Sequence, residues 1–290
     1  MPRFTSCKIR VIKMAEFMQL EFMRLALYAG LLTGLVCGII GSLVVVNRLV
    51  FIAGGIAHAA YGGVGIAYWL GFPPAAGAGL FALGVSWAVG EISFHDRQRI
   101  DVSIGILWAA GMALGTIFID MTPGYSSDLM SYLFGSILLV SNADLLLMAA
   151  AAVSLLLLVF FLYHELLAVS FDEVQAYLLG IRVKLMFQVL LTMTAVAVVV
   201  SIRLVGLILV MALLSIPPYM AEKHVNSLWG MMVLSSLLGV FFIISGLILS
   251  FMLNLGSGAM IILLAALFFL IHQIIFVRSR KKHGGNSGLC

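Results

Sequence analysis

Long apolar runs, broken by short polar punctuation, cover this chain from residue 24 to 277. Runs long enough to cross a bilayer, about 17–25 residues each, lie at 24–46, 50–71, 74–91, 104–120, 143–163, 185–202, 228–253 and 256–277. A shorter uncharged stretch, 204–221, reads as a further span broken at Pro217-Pro218, because proline removes a backbone donor and clashes with the preceding turn. The stretch 128–142 is too short to cross alone and reads as a partial or packed helix. The pattern predicts an all-α, polytopic membrane protein with about eight to nine transmembrane helices.

Composition agrees: 63% of residues are hydrophobic and only 10% are charged, more apolar surface than a soluble core of this size needs. The chain divides into an N-terminal segment, 1–22, a transmembrane body, 23–277, and a basic tail, 278–290. Residues 1–22 read either as an over-long assigned start, with Met14, Met18 and Met23 as alternatives, or as an amphipathic surface segment. No cleavage site of small residues follows a short apolar core, so this is no secretory signal. Cys7, Cys37 and Cys290 have neither metal-ligand nor redox-motif spacing.

The net charge of +4 calls for no nucleic-acid partner, since the basic residues sit at helix ends. With nine spans, Arg48, Arg97, Arg99, Arg182, Lys184 and Lys223 fall on one side together with the basic tail. Only Arg203 falls on the other side after residue 25. Basic loops stay in the cytosol, so the C-terminus is expected inside and the N-terminus outside a cytoplasmic (inner) membrane. Arg3, Lys8, Arg10 and Lys13 run against that bias.

Between Leu49 and Gly90 the one ionisable side chain of Asp, Glu, His, Lys or Arg type is His58, inside AGGIAHAAYGG. A lone imidazole in such a segment is a packing residue, a proton relay or a metal ligand. Small residues surround it on nearly every face, so its helix is either enclosed by protein or lines a passage. Gly30, Gly34 and Gly38 recur every four residues, as do Gly55, Ala59 and Gly63, a spacing that lets helix backbones approach closely in lipid.

Other polar groups cluster at helix ends. Asp120, Asp128 and Asp144 follow the fourth span on the outer side. There they either attract cations or cap helices, and Asp101 reads as the N-cap of the fourth span. His224 with Glu222, and His164 with Glu165, are exit contacts or solvated loop residues. His272 reads as a packing or interfacial residue, and the HDRQR loop at 95–99 as orienting charge or a partner contact. A short amphipathic piece within 170–181 places Val174, Tyr177, Leu178 and Ile181 on one face and Asp172 and Glu173 in its first turn. It is either a docking knob for a soluble partner or an interfacial anchor. No G-x-x-x-x-G-K-[ST] loop occurs, so the chain is expected to be no enzyme, and any ATP hydrolysis belongs to a separate chain.

Five stretches in order resemble the integral-membrane permease of the zinc/manganese/iron ABC importer family: NRLVFIAGGIAHAAYGGVGIAYWLG, DVSIGILWAAGMALG, SDLMSYLFGSILLVSNADL, SFDEVQAYLLGI and LVGLILVMALLSIPPYMA. The resemblance spans roughly residues 25–277. It implies a type II importer permease that forms a homodimer and pairs with two copies of a cytosolic ATP-binding cassette ATPase. An extracytoplasmic metal-binding protein would deliver the ion. No cofactor is held permanently; the cargo is a divalent metal, and ATP acts through the partner. The resemblance makes His58 a ligand of the translocation pathway; Asp128, by its place among the outer-side carboxylates, is the candidate at the outer mouth, where it would attract cations or contact basic residues of a delivery protein. The resemblance makes Phe171, Asp172, Glu173, Ala176 and Gly180 the residues that couple to the ATPase. Two positions depart from the family pattern. Gly54 stands where an aspartate is usual, and Ser136 where an acid sometimes follows L-F-G, which leaves the metal and its ligand set open. Competing readings are a permease for metal chelates such as haem, siderophores or cobalamin, and an ion-coupled secondary transporter. The absence of deep Asp or Glu counts against the latter.

Overall fold

A computed structural model describes residues 21–95, 100–122 and 140–284. Every regular element among them is a helix: α1 (Glu21–Val46), α2 (Val50–Leu70), α3 (Pro74–His95), α4 (Ile100–Asp120), α5 (Asn142–Phe161), α6 (Tyr163–Phe171), α7 (Glu173–Leu178), α8 (Val183–Val205), α9 (Leu207–Glu222), α10 (Leu228–Leu253) and α11 (Ser257–Gly284). Eight of these are long and apolar enough to cross a membrane; α9, at 16 residues, is shorter. Helices suit this setting because all their backbone polar groups pair within the segment.

Two groups of helices meet along α8. On one side α2 packs against α3 and α4; on the other α1 packs against α9 and α10, with α11 behind them. Small residues bring the first group together. A side chain at Gly63 would strike the backbone of Gly77 on α3, and a Cβ on Gly111 of α4 would stand 2.6 Å from the Cα of Ala59. Gly55 faces the Ile104 side chain on α4 in the same way. In the second group Gly34 and Gly38 abut Val240 and Ser236 of α10, and Gly30 is buried. Ser42 Oγ reaches Ser235 Oγ across that seam at 3.1 Å. Such contacts supply the dispersion and hydrogen bonding that drive association where lipid removes the hydrophobic term.

The 204–221 stretch differs from expectation at both ends. Helix α8 continues through Arg203 to Val205, and the chain reverses at Gly206 alone, with φ 82° and ψ 162°. That backbone region is accessible essentially to glycine. Helix α9 then runs unbroken through Pro217 and Pro218 to Glu222. The prolines lie in its last two turns, so they cost only the bonds to Leu213 and Leu214. The Leu214 carbonyl released there faces Gly41 of α1, where a Cβ would come within 2.7 Å of its oxygen.

Candidate functional site

His58 lies eight residues into α2, about 12 Å along the axis at 1.5 Å per residue, near the middle of that span. Its Nδ1 is 2.9 Å from the carbonyl oxygen of Gly54, one turn earlier. A carbonyl can only accept, so Nδ1 carries the proton and Nε2 presents its lone pair. The ring stacks on Trp108 of α4, with centroids 3.8 Å apart and planes 25° from parallel. Both residues stand eight positions after their helix starts, so the two parallel helices present them at one level. His58 is half-buried, whereas Ala57 and Ala59 beside it are fully buried. The imidazole is thus oriented from two sides, while among the described residues no hydrogen bond claims its outer nitrogen. This is how imidazole ligands are commonly held: one nitrogen fixed by a hydrogen bond, the other open to a metal.

Gly54 has a structural counterpart. A Cβ there would collide with the Met211 side chain of α9, 2.5 Å from its Cε. The thioether fills the space an acidic side chain would need. Neither Trp108 nor Met211 stood out in the sequence. The repeat of Ile104, Trp108, Gly111 and Gly115 along one face of α4 was the available signal for the first, and no local signal marks the second. Among the described residues no group of three or more His, Cys, Asp or Glu side chains comes together.

The remaining candidates sit at the helix ends. Asp128 lies outside the described residues, as does the HDRQR loop except for the backbone of His95. Asp120 is the last residue of α4. Asp144 closes a capping box on α5: its backbone N–H donates to Ser141 Oγ at 3.2 Å, and its carboxylate accepts from the Ser141 N–H and hydroxyl. Asp101 does not take the N-cap position expected of it. Helix α4 already includes Ile100, which places Asp101 in the first turn, where a negative charge still complements the helix dipole.

The piece between α6 and α8 is built around Asp172. Its Oδ1 accepts from the backbone N–H groups of Val174 and Gln175, at 2.9 and 3.0 Å, and starts α7. Glu173 occupies the first turn, and Gly180 ends the element at φ 83°. Only Ala176 is buried, against Val169 and Met186. The apolar face therefore divides differently from the sequence pattern. Ile181 packs on that small cluster, while Phe171, Val174, Tyr177, Leu178 and Leu179 are all about 70% exposed or more. Many apolar side chains of the spans are likewise exposed, so this exposure fits either a soluble partner or the lipid interface.

Contacts between segments distant in sequence show which loops share an end of the bundle. Asn47 donates to Ser170 at 2.8 Å, Lys184 pairs with Glu91 at 2.8 Å, and Arg48 lines one cleft with Glu222 and Lys223. The basic loops and α7 thus stand at the same end.

A family model described as the ABC 3 transport family matches residues 19–276. The chain belongs to this family. It is 47% identical over 258 residues to an uncharacterised membrane protein of Synechocystis sp., covering 89% of this chain and 92% of that one. It is 35% identical over 270 residues to the manganese import system permease protein ScaB of Streptococcus parasanguinis, covering 93% and 96%. Its fold matches a chain of the PsaBC structure from Streptococcus pneumoniae, determined in complex with Fab, with a TM-score of 0.81 and 30% identity, over 90% of this chain and 95% of that one. An all-α ABC permease architecture is therefore the fold of this ABC 3 family member, as the five motifs implied.

Proposed function

We propose that this ABC 3 family chain is the membrane permease of an ATP-driven importer for a divalent metal ion, with His58 as a ligand on the translocation path. The observation that carries the reading is His58 itself: an imidazole near mid-span, fixed through Nδ1 and by Trp108, with Nε2 open. Neutral imidazole suits zinc, manganese and ferrous iron, and a transport site must hold its ion loosely enough to release it. Two copies of α2 facing across a homodimer axis would bring two imidazoles to one path. The named function of ScaB makes manganese the first ion to test. In this reading the apolar surface of α7 docks a cytosolic ATPase that supplies the energy, and an extracytoplasmic binding protein delivers the ion. Asp128 stands at the outer mouth.

The test is uptake of radioactive manganese, zinc and iron by vesicles carrying the permease with its ATPase. His58→Ala should reduce uptake of the transported ion to background while the ATPase still co-purifies. Undiminished uptake by that variant would remove His58 from the pathway.

A further inference from the structure

The turn between α1 and α2 holds an arginine where the backbone geometry favours glycine. Arg48 follows α1 at φ 59°, in the left-handed region, and the Leu49 N–H donates back to the Val44 carbonyl at 2.8 Å to close the turn. Glycine or asparagine usually fills that position after a helix, so an arginine there needs a reason beyond the turn. Asn47 pins the same turn to Ser170 of α6 at 2.8 Å. Arg48 is exposed, and among the described residues its guanidinium has no ion pair or hydrogen bond.

Arg48 lines a cleft of about 620 Å³, within the range of about 300–1,000 Å³ typical of ligand sites. A second cation, Lys223 at the end of α9, lines it too. The Glu222 carboxylate is 3.8 Å from the Lys223 ammonium, beyond hydrogen-bond reach, and the Tyr219 ring lies 4.9 Å away. Among the described residues no hydrogen bond takes up the ammonium donors. Tyr219 accepts from Gln273 at 3.1 Å and keeps its own O–H to donate. Much of the remaining wall is apolar: Val45 and Val46 of α1, Val50 of α2, Ile216 of α9 and Phe269 of α11. His224 and His272 meet beside Lys223, ring centroids 4.9 Å apart, but neither lines the cleft.

Two cations against one carboxylate give the cleft a net positive charge, which repels a metal ion and favours an anion. Its polar and apolar parts are also ordered along the membrane normal. The cations sit where helices end, Arg48 between the first two spans and Lys223 after α9, while the apolar wall belongs largely to the spans themselves. A dissolved anion cannot use that wall; a lipid can. We propose that the cleft binds an anionic phospholipid, its phosphodiester between Arg48 and Lys223 and its upper acyl chain against Val45, Val50, Ile216 and Phe269. Phosphatidylglycerol matches the lining: its single negative charge balances the cleft, and its headgroup hydroxyls donate to Glu222. Basic pockets between transmembrane helices at the cytosolic face bind such headgroups. The lipid would tie the α1–α2 turn to α9 and α11. Its binding does not depend on the importer reading above.

The probe is phosphatidylglycerol with a photoactivatable diazirine on its acyl chain, offered to the purified full-length protein in phosphatidylcholine nanodiscs. Cross-links should concentrate in the segments carrying Val45, Val50, Ile216 and Phe269. Excess unlabelled phosphatidylglycerol should suppress them, and excess phosphatidylethanolamine should not. By native mass spectrometry, Arg48→Gln/Lys223→Gln should hold phosphatidylglycerol roughly tenfold more weakly than the parent, the expected loss of charge-assisted bonds to phosphate. Cross-links spread over the lipid-facing helices without enrichment at the cleft overturn the proposal, and that result needs no variant that must fold. Equal retention of the lipid by a folded double variant overturns it too. Displacement of the lipid by soluble glycerol phosphate would make this a site for a free phosphate ester instead. Cross-links that vanish when the ATPase binds would give the cleft to that partner, and either result ends the lipid assignment.

Discussion

At the scale of single residues, the chemistry rests on how one imidazole is held. His58 gains its orientation from the Gly54 carbonyl and from Trp108, not from an acidic partner. Trp108→Ala would remove the stacking surface and leave only the Nδ1 bond to Gly54, so the ring is held less firmly on the path proposed for the ion. Metal uptake is expected to fall several-fold, with the amount of permease in the membrane and its binding of ATPase unchanged. Uptake equal to the parent would show that the backbone bond alone positions the ring. His58 was legible in the sequence because an ionisable group in a greasy, glycine-dense run has few reasons to be there. Trp108 was not, since an indole in an apolar helix looks like any other large side chain until a second helix is laid beside it. Met211 was hidden for the same reason. Its thioether becomes meaningful only when it fills the space above Gly54.

At the scale of elements, α7 shows how far a helical pattern can be read. Its start at Asp172 and first-turn Glu173 were visible as a cap and a dipole match. Which way its apolar side chains point was not, because periodicity assigns residues to a face without saying what covers that face. Ala176, the smallest apolar residue of the turn, is the one buried, and the larger ones stand out. Leu178→Asp would place a charge at the centre of this surface without touching the Ala176 contact. The variant should insert normally and lose co-purification with the ATPase along with nearly all transport; full retention of the ATPase would assign α7 to the membrane interface instead. Helix α9 teaches the converse. Its two prolines look like a break in one dimension, yet they fall where the helix is about to end and where Gly41 lets α1 close over the released carbonyl.

Across the whole molecule, the arrangement of charge and the packing of the bundle agree. The contacts Asn47–Ser170 and Lys184–Glu91, and the cleft shared by Arg48 and Lys223, gather the basic loops at one end. From the excess of Lys and Arg that end is expected to be cytosolic. A single cysteine introduced as Gln175→Cys, with the native cysteines replaced, should react with a membrane-impermeant maleimide in inside-out vesicles and not in intact cells. Labelling from outside would invert the topology. The apolar spans with their approximate ends, the lone histidine between Leu49 and Gly90 and the absence of a G-x-x-x-x-G-K-[ST] loop can all be read from the sequence itself. Each follows from transfer of local segments into lipid or from the presence or absence of a contiguous motif, which needs no knowledge of neighbours. The stacking of Trp108, the outward apolar face of α7 and the meeting of His224 with His272 were decided only by tertiary structure. In lipid the hydrophobic effect does not choose which helix faces pair. That choice falls to steric fit between small residues on separate helices, a property of the folded bundle that no single stretch of sequence carries.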